Sequence, residues 1–386
     1  MNKKSFRENI LKELGATAGE IDELLQYNAN FFHMTETLKS LSFPLPDEPF
    51  VTAWENYAYE AQTKGLYATL RKNLVQLQFP IQEGISATEQ YKAVINAGRA
   101  LTEEQEGLYL EKPELLELVI HASSVGKIPL LITRHRNDFV SLVRALTMKN
   151  EPKPIPDSMG AQMISGYNNW GRVKDYRKIW ENKEGSESEE TWPQEFQRLI
   201  PQKALYQDRF MISSDGFYSA VQASELGLSP KEWRAASLVI RREHECTHYF
   251  TRRVFSSMRN NMLDELIADY MGITAAVGTY RADWFLRFVG LEDFPMHRVG
   301  GRINNYRGTP PLSDGSFEIL KKLVKTSAET LENFHKHFQV QINLPGGRIK
   351  MLLALAQLTL EELASSESEL LLEKAFKVVS NGLSDD

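Results

Sequence analysis

A single cysteine in 386 residues closes off one route to stability: with Cys246 alone, no intramolecular disulfide can form. Long apolar runs are missing as well. No stretch approaches the roughly 18 apolar residues of a membrane span, and the start, Met1-Asn2-Lys3-Lys4-Ser5-Phe6-Arg7-Glu8, lacks the apolar segment of a secretory signal. These absences lead to the expectation of a soluble, cytoplasmic protein with no membrane partner. Basic charge is not in excess either. Lys and Arg number 45 against 51 Asp and Glu, and the net charge of −6 and pI near 5.9 argue against a nucleic-acid partner. No repeat with a period of 20 to 50 residues is evident. What is present is a globular composition, 42% hydrophobic and 25% charged, enough to bury a substantial core in two or three domains or subdomains.

The most informative segment is His244-Glu245-Cys246-Thr247-His248. On a helix, two imidazoles four residues apart share one face at about 6 Å Cβ to Cβ, a spacing that suits joint ligation of one zinc ion. Glu245 is turned roughly 100° from His244, so it stands beside an open coordination position without filling it. The helix is predicted locally: Ser229-Pro230-Lys231-Glu232 combines a capping residue, a first-turn proline and a capping-box glutamate, and no glycine or proline follows until after Phe255. Trp233, Ala236, Ile240, His244 and His248 continue one apolar stripe. A second helix is predicted over 260–272, capped by Asn260 or Asn261, with Leu263, Leu266, Ile267, Tyr270 and Met271 on its apolar side. Glu265 and Asp269 lie one turn apart on it. Glu265 is placed to complete the metal shell, and Asp269 to accept the free N–H of a ligating imidazole, assigned to His244.

These residues resemble the gluzincin metallopeptidases, whose signature is HExxH on one helix and ExxxD on the next. The match covers residues 229–273 and no other part of the chain. The resemblance implies Zn²⁺ held by His244, His248 and Glu265, a bound water, and Glu245 as general base and then acid. It also implies a zincin-like core. The interval from His248 to Glu265 is shorter than in thermolysin-like enzymes, which leaves Asp264 and Asp269 as alternative third ligands. A metzincin pattern is excluded, because Thr251 and Val254 occupy the positions of its glycine and third histidine.

The expected activity is therefore that of a zinc metallopeptidase acting on a peptide or protein substrate. Alternatives are a zinc hydrolase of a non-peptide amide, and a non-catalytic, metal-stabilised interaction protein. Stabilising a tetrahedral oxyanion needs a further donor. The glycine-broken, basic stretch 296–308 is the candidate source, with His297 and Tyr306 as proposed catalytic donors and Arg302 as a carboxylate-binding reserve. Cys246 points away from the imidazole pair and is expected to pack. The Arg241, Arg242, Arg252 and Arg253 pairs read as a solvated helix face.

The fold expected is mainly α with some β (α+β): a core of two metal-binding helices and a small sheet, flanked by helical regions. Three parts are expected: a helical region over 1–150, a catalytic core over 151–310, and a helical region over 311–386. Within the first, helices are predicted at 6–14, 20–32, 52–77, 87–101 and 113–123, a linker at 43–49, a buried strand at 128–133 and a helix at 138–147. Proline-rich 151–156 is the predicted boundary. Beyond it, 165–170 reads as a turn-rich loop, packed in preference to lining a cleft, 182–190 as a mobile acidic loop, and 209–212 as a strand that either offers substrate an exposed edge or lies inside the sheet. Further helices are predicted at 281–289, 316–338, 348–363 and 370–379.

Overall fold

The computed structural model describes residues 2–32, 41–101, 106–183, 191–259 and 261–382. The acidic stretch 184–190 and Asn260 lie outside the described residues. The protein is mainly helical, with one small four-stranded mixed sheet. It divides into two compact units, Met1–Leu45 with Phe217–Asp386, and Pro46–Gly216. Neither boundary falls near 150 or 310. The first crossing does fall inside the proline-rich 43–49 segment.

The discontinuous unit opens with α1 (Lys3–Glu13) and α2 (Ala18–Tyr27), the latter started by a Thr17–Glu20 capping box. The continuous unit then runs through α3 (Val51–Lys64), α4 (Leu66–Asn73), α5 (Glu89–Ala97), β1 (Leu116–Ser123), β2 (Gly126–Thr133), α6 (Arg136–Thr147), β3 (Ala161–Asn168), α7 (Trp170–Lys183), α8 (Trp192–Leu199) and β4 (Gln207–Ser214). The discontinuous unit resumes with α9 (Pro230–Phe255), α10 (Met262–Val277), α11 (Ala282–Val289), α12 (Asp314–Ile342), α13 (Gly347–Leu355), α14 (Leu360–Leu363) and α15 (Ser368–Gly382).

In the continuous unit the strand order is β1-β2-β4-β3, with β2 and β4 parallel and the outer pairs antiparallel. Several sequence expectations are corrected or decided here. Residues 113–123 are not helical: a short 3₁₀ turn at Pro113–Leu115 leads into β1, because Leu116 to Ser123 pair residue by residue with the apolar β2. Leucine-rich local propensity yields to cross-strand pairing. Residues 165–168 complete β3, with a register shift between Ser165 and Tyr167 where Gly166 takes φ +78, and Trp170 begins a helix. The 209–212 strand is internal, flanked by β2 and β3, so its hydrogen-bonding edges are already occupied. The predicted 52–77 helix is cut at Gly65, whose φ of +80 no continuing helix adopts. Trp54, Leu70, Leu131, Phe139, Phe210 and Ile212 form much of this unit's core.

The discontinuous unit explains why the chain's start belongs with its end. Glu361 of α14 is fully buried and accepts hydrogen bonds from Arg7 Nε at 3.1 Å and Nη2 at 3.2 Å, and from Asn28 Nδ2 at 2.9 Å. A buried carboxylate needs such partners, and they come from more than 330 residues away in sequence. In the same unit α10 is buried on every side, from Met262 to Thr274. The predicted 348–363 helix is interrupted between α13 and α14, where Thr359 starts a new capping box with Glu362.

Candidate metal centre

Both helices that carry the site start where local chemistry dictates. Ser229 and Glu232 bond reciprocally at the head of α9, with side-chain-to-backbone distances of 3.3 and 2.9 Å. Asn261 Oδ1 accepts from the Asp264 amide at 3.1 Å at the head of α10. On α9 the stripe through Trp233, Ile240, His244 and His248 is buried, and Ala236 is half-buried. The two helices approach closely at Gly272, where a Cβ would stand 2.8 Å from the Ile240 carbonyl oxygen. That contact seats Glu265 and Asp269 opposite the imidazoles.

His244, His248 and Glu265 form a buried group able to hold a metal ion, with one ligand atom from each lying within 4.8 Å of the others. The Nε2 atoms of the two histidines are 3.1 Å apart. Glu265 Oε2 lies 3.6 Å from His244 Nε2, and Oε1 lies 3.5 Å from His248 Nε2. Ligand atoms about 2.0–2.1 Å from a tetrahedral ion are separated by roughly 3.3 Å, so the donor set fits zinc in spacing and in its N, N, O chemistry. The other acids of α10 are turned to different tasks. Asp264 Oδ2 accepts from the Arg259 amide at 2.6 Å, and Asp269 Oδ1 lies 2.8 Å from His244 Nδ1, which leaves Nε2 as that ring's free donor.

A second layer surrounds the ligands. Arg302, on a 3₁₀ turn at Arg302–Tyr306, donates from Nη2 to Glu265 Oε2 at 2.6 Å and from Nη1 to Asp269 Oδ2 at 3.2 Å. Its Nη1 also reaches Ser219 Oγ at 3.0 Å and the Tyr218 hydroxyl at 3.1 Å. Tyr218 in turn donates to Asp269 Oδ1 at 2.5 Å. The Tyr306 hydroxyl bonds to Glu265, while its carbonyl accepts from Tyr27 at 2.6 Å. Arg302 is therefore committed to protein carboxylates, not held in reserve for a substrate's.

The charges are mutually dependent. Burial works against an ionised Glu265, but its hydrogen bond to His248 and the charges of His244 and Arg302 prevail and hold its carboxyl well below the usual range. Asp269 is likewise lowered against burial, chiefly by Arg302 and His244. Burial opposes the charged form of His248, yet the hydrogen bond and charge of Glu265 raise its pKa to about 9. Burial raises the Tyr218 and Tyr306 phenols, so both remain hydrogen-bond donors at neutral pH.

Glu245, beside the imidazole pair, is partly exposed and has no hydrogen-bond or ion-pair partner among the described residues. Its charge is felt at His248. Cys246 is buried, and burial raises its thiol well above the ordinary value. His297 is the sequence-proposed residue that the fold takes elsewhere. Its Nδ1 lies 3.5 Å from Lys321 Nζ and its ring stands edge-on to Phe317, both on α12. The preceding loop is folded back onto α11, with the Arg298 amide bonding the Gly290 carbonyl at 2.8 Å. Tyr218 is a site residue that no sequence pattern marks. Its segment carries no motif, and the one structural oddity there, consecutive non-glycine residues Ser219 and Ala220 at φ +52 and +58, leaves no compositional mark. A polar pocket of about 430 Å³, lined in part by Tyr27, Arg259, Asn261, Asn305 and Gly308, opens beside the capped end of α10.

Comparison with curated proteins and with solved structures finds no match. A family match spans residues 9–367, most of both units, and so the chain belongs to the family of unknown function DUF7005.

Proposed function

We propose that the buried group is a catalytic zinc site and that the protein is a zinc-dependent metallopeptidase. The observation that carries this reading is the combination of three ligand atoms at coordination spacing with an unpartnered glutamate, Glu245, next to them on α9. A structural zinc site calls for a fourth protein ligand and has no use for a base; the described residues offer three ligands. When bound, the ion polarises a scissile carbonyl and lowers the pKa of water. His244 and His248 present neutral ring nitrogens, and Asp269 fixes the His244 tautomer through Nδ1. Glu245 takes the proton from the attacking water and returns it to the leaving amine. Tyr306, with its hydroxyl on Glu265, is the proposed donor to the developing oxyanion, and His297 is given no part.

A second reading has its own support. Arg302 and a protonated His248 already compensate Glu265, which suits a buried ion network that serves packing in a non-catalytic protein. Metal analysis of the purified protein followed by a peptide-library assay separates the two. Stoichiometric zinc with turnover that falls about 10²- to 10⁴-fold in Glu245→Gln, metal content unchanged, is the expected result. Absence of bound zinc after metal supplementation sinks the first reading and favours the second. Zinc with activity only on non-peptide amides relocates the substrate class.

A further inference from the structure

The guanidinium of Arg302 does something the ligand set alone does not require. Its two nitrogens reach two of the three acids of α10, Glu265 Oε2 at 2.6 Å and Asp269 Oδ2 at 3.2 Å, and so tie the ligand carboxylate to the carboxylate that orients His244. The guanidinium is itself held: Nη1 also meets Ser219 Oγ and the Tyr218 hydroxyl, and the side chain is only 13% exposed. A planar fork seated in this way is a rigid donor, unlike an ammonium on a flexible stem. We infer that Arg302 is a metal-selecting clamp: by donating to Oε2 it draws charge from that oxygen and fixes the plane of the carboxylate, which biases Glu265 toward ligation through one oxygen and favours a site of two nitrogens and one oxygen. This inference rests on the zinc-site reading and adds the residue that sets coordination number and metal preference.

The physical consequence follows from ligand count. A carboxylate free to bind through both oxygens raises coordination number and oxygen content, which suits Mn²⁺ and other oxygen-preferring ions. A carboxylate held to one oxygen leaves a low-coordinate site with an open position, which suits Zn²⁺. Removing the clamp should therefore broaden metal preference while leaving all three ligands in place. Arg302 acts through Glu265 and Asp269, so it is a positioning residue.

The test uses the full chain stripped of metal and loaded with Co²⁺, whose visible absorption is intense when four-coordinate and weak when five- or six-coordinate. Wild type should give the intense band and prefer Zn²⁺ strongly over Mn²⁺ in competition. Arg302→Gln should weaken the band several-fold and narrow the Zn²⁺ to Mn²⁺ preference by about tenfold or more. Arg302→Lys keeps the charge without the fork and should fall between the two; it carries the test alone if Arg302→Gln does not fold. Band and preference unchanged in the folded variants overturn the clamp while leaving the metal site standing. No Co²⁺ band in wild type overturns the metal-site reading and the clamp with it.

Discussion

At the scale of single residues, the site is a problem in buried charge. Glu265 and Asp269 are 1% and 0% exposed, and Arg302 compensates one of their two negative charges. The remaining negative charge calls for a cation, and the alternatives are a proton shared with His248 or a divalent ion between the imidazoles and Glu265. An ion that binds only the folded state adds stability, about 2.7 kcal/mol when present at 100 times its dissociation constant. Zinc should accordingly raise the melting temperature of the wild-type protein and leave that of His248→Ala unmoved, as scanning calorimetry would show. Equal shifts in both would place the zinc elsewhere. Asp269→Asn keeps the shape but removes the anionic acceptor for His244 Nδ1–H, so zinc affinity should fall about 10- to 100-fold in a chelator competition. The HExxH and ExxxD residues were legible in the sequence because their chemistry depends on spacing along a helix. Tyr218 was not, because its hydroxyl arrives from a segment with no periodicity, and Arg302 was read with the wrong partner.

At the scale of elements, the site depends on how closely α9 and α10 pack. Gly272 is the place where two backbones meet, and a methyl group there would press on the Ile240 carbonyl, which is part of a helix and cannot yield as a side-chain end would. Gly272→Ala should cost about 1–3 kcal/mol in denaturant unfolding, as overpacked contacts do, and should also weaken zinc binding by spreading the ligands. If the variant is as stable as wild type and binds zinc normally, the close crossing does not set the site. Ser229→Ala removes the cap of α9 and should cost about 0.5–2 kcal/mol with little effect on metal affinity, because the cap lies several turns from His244. Helix starts were readable from Ser229 and Asn261, since capping is local. Residues 113–123 do not declare themselves as a strand because the partner that decides their state is another segment, and the sequence leaves 209–212 between edge and interior because that choice is a property of the sheet.

At the scale of the whole molecule, the chain leaves one unit near residue 45 and returns to it near 217. One of the ties between the chain's start and its end is Glu361, fully buried and held by Arg7 and Asn28. Arg7→Met leaves a buried carboxylate without its cation and should destabilise the discontinuous unit by about 3–5 kcal/mol. Chemical denaturation followed by a probe in that unit, with zinc affinity measured in parallel, checks it; unfolding at wild-type denaturant concentrations would show that the chain's start is dispensable there. Among the described residues no helix is long and apolar enough to cross a membrane.

The amino-acid sequence by itself determined the helical starts, the paired imidazoles, Glu245 beside them and the acids one turn apart on the next helix. All of these follow from interactions within a few residues and from the 3.6-residue turn. Only the tertiary structure decided that Glu265, and not Asp264, faces the imidazoles, that Arg302 and Tyr218 close around it, that His297 goes to α12, and that the first 45 residues join the last 170. Those outcomes depend on which distant groups can satisfy a buried charge or a strand edge, and that balance exists only once the segments have met.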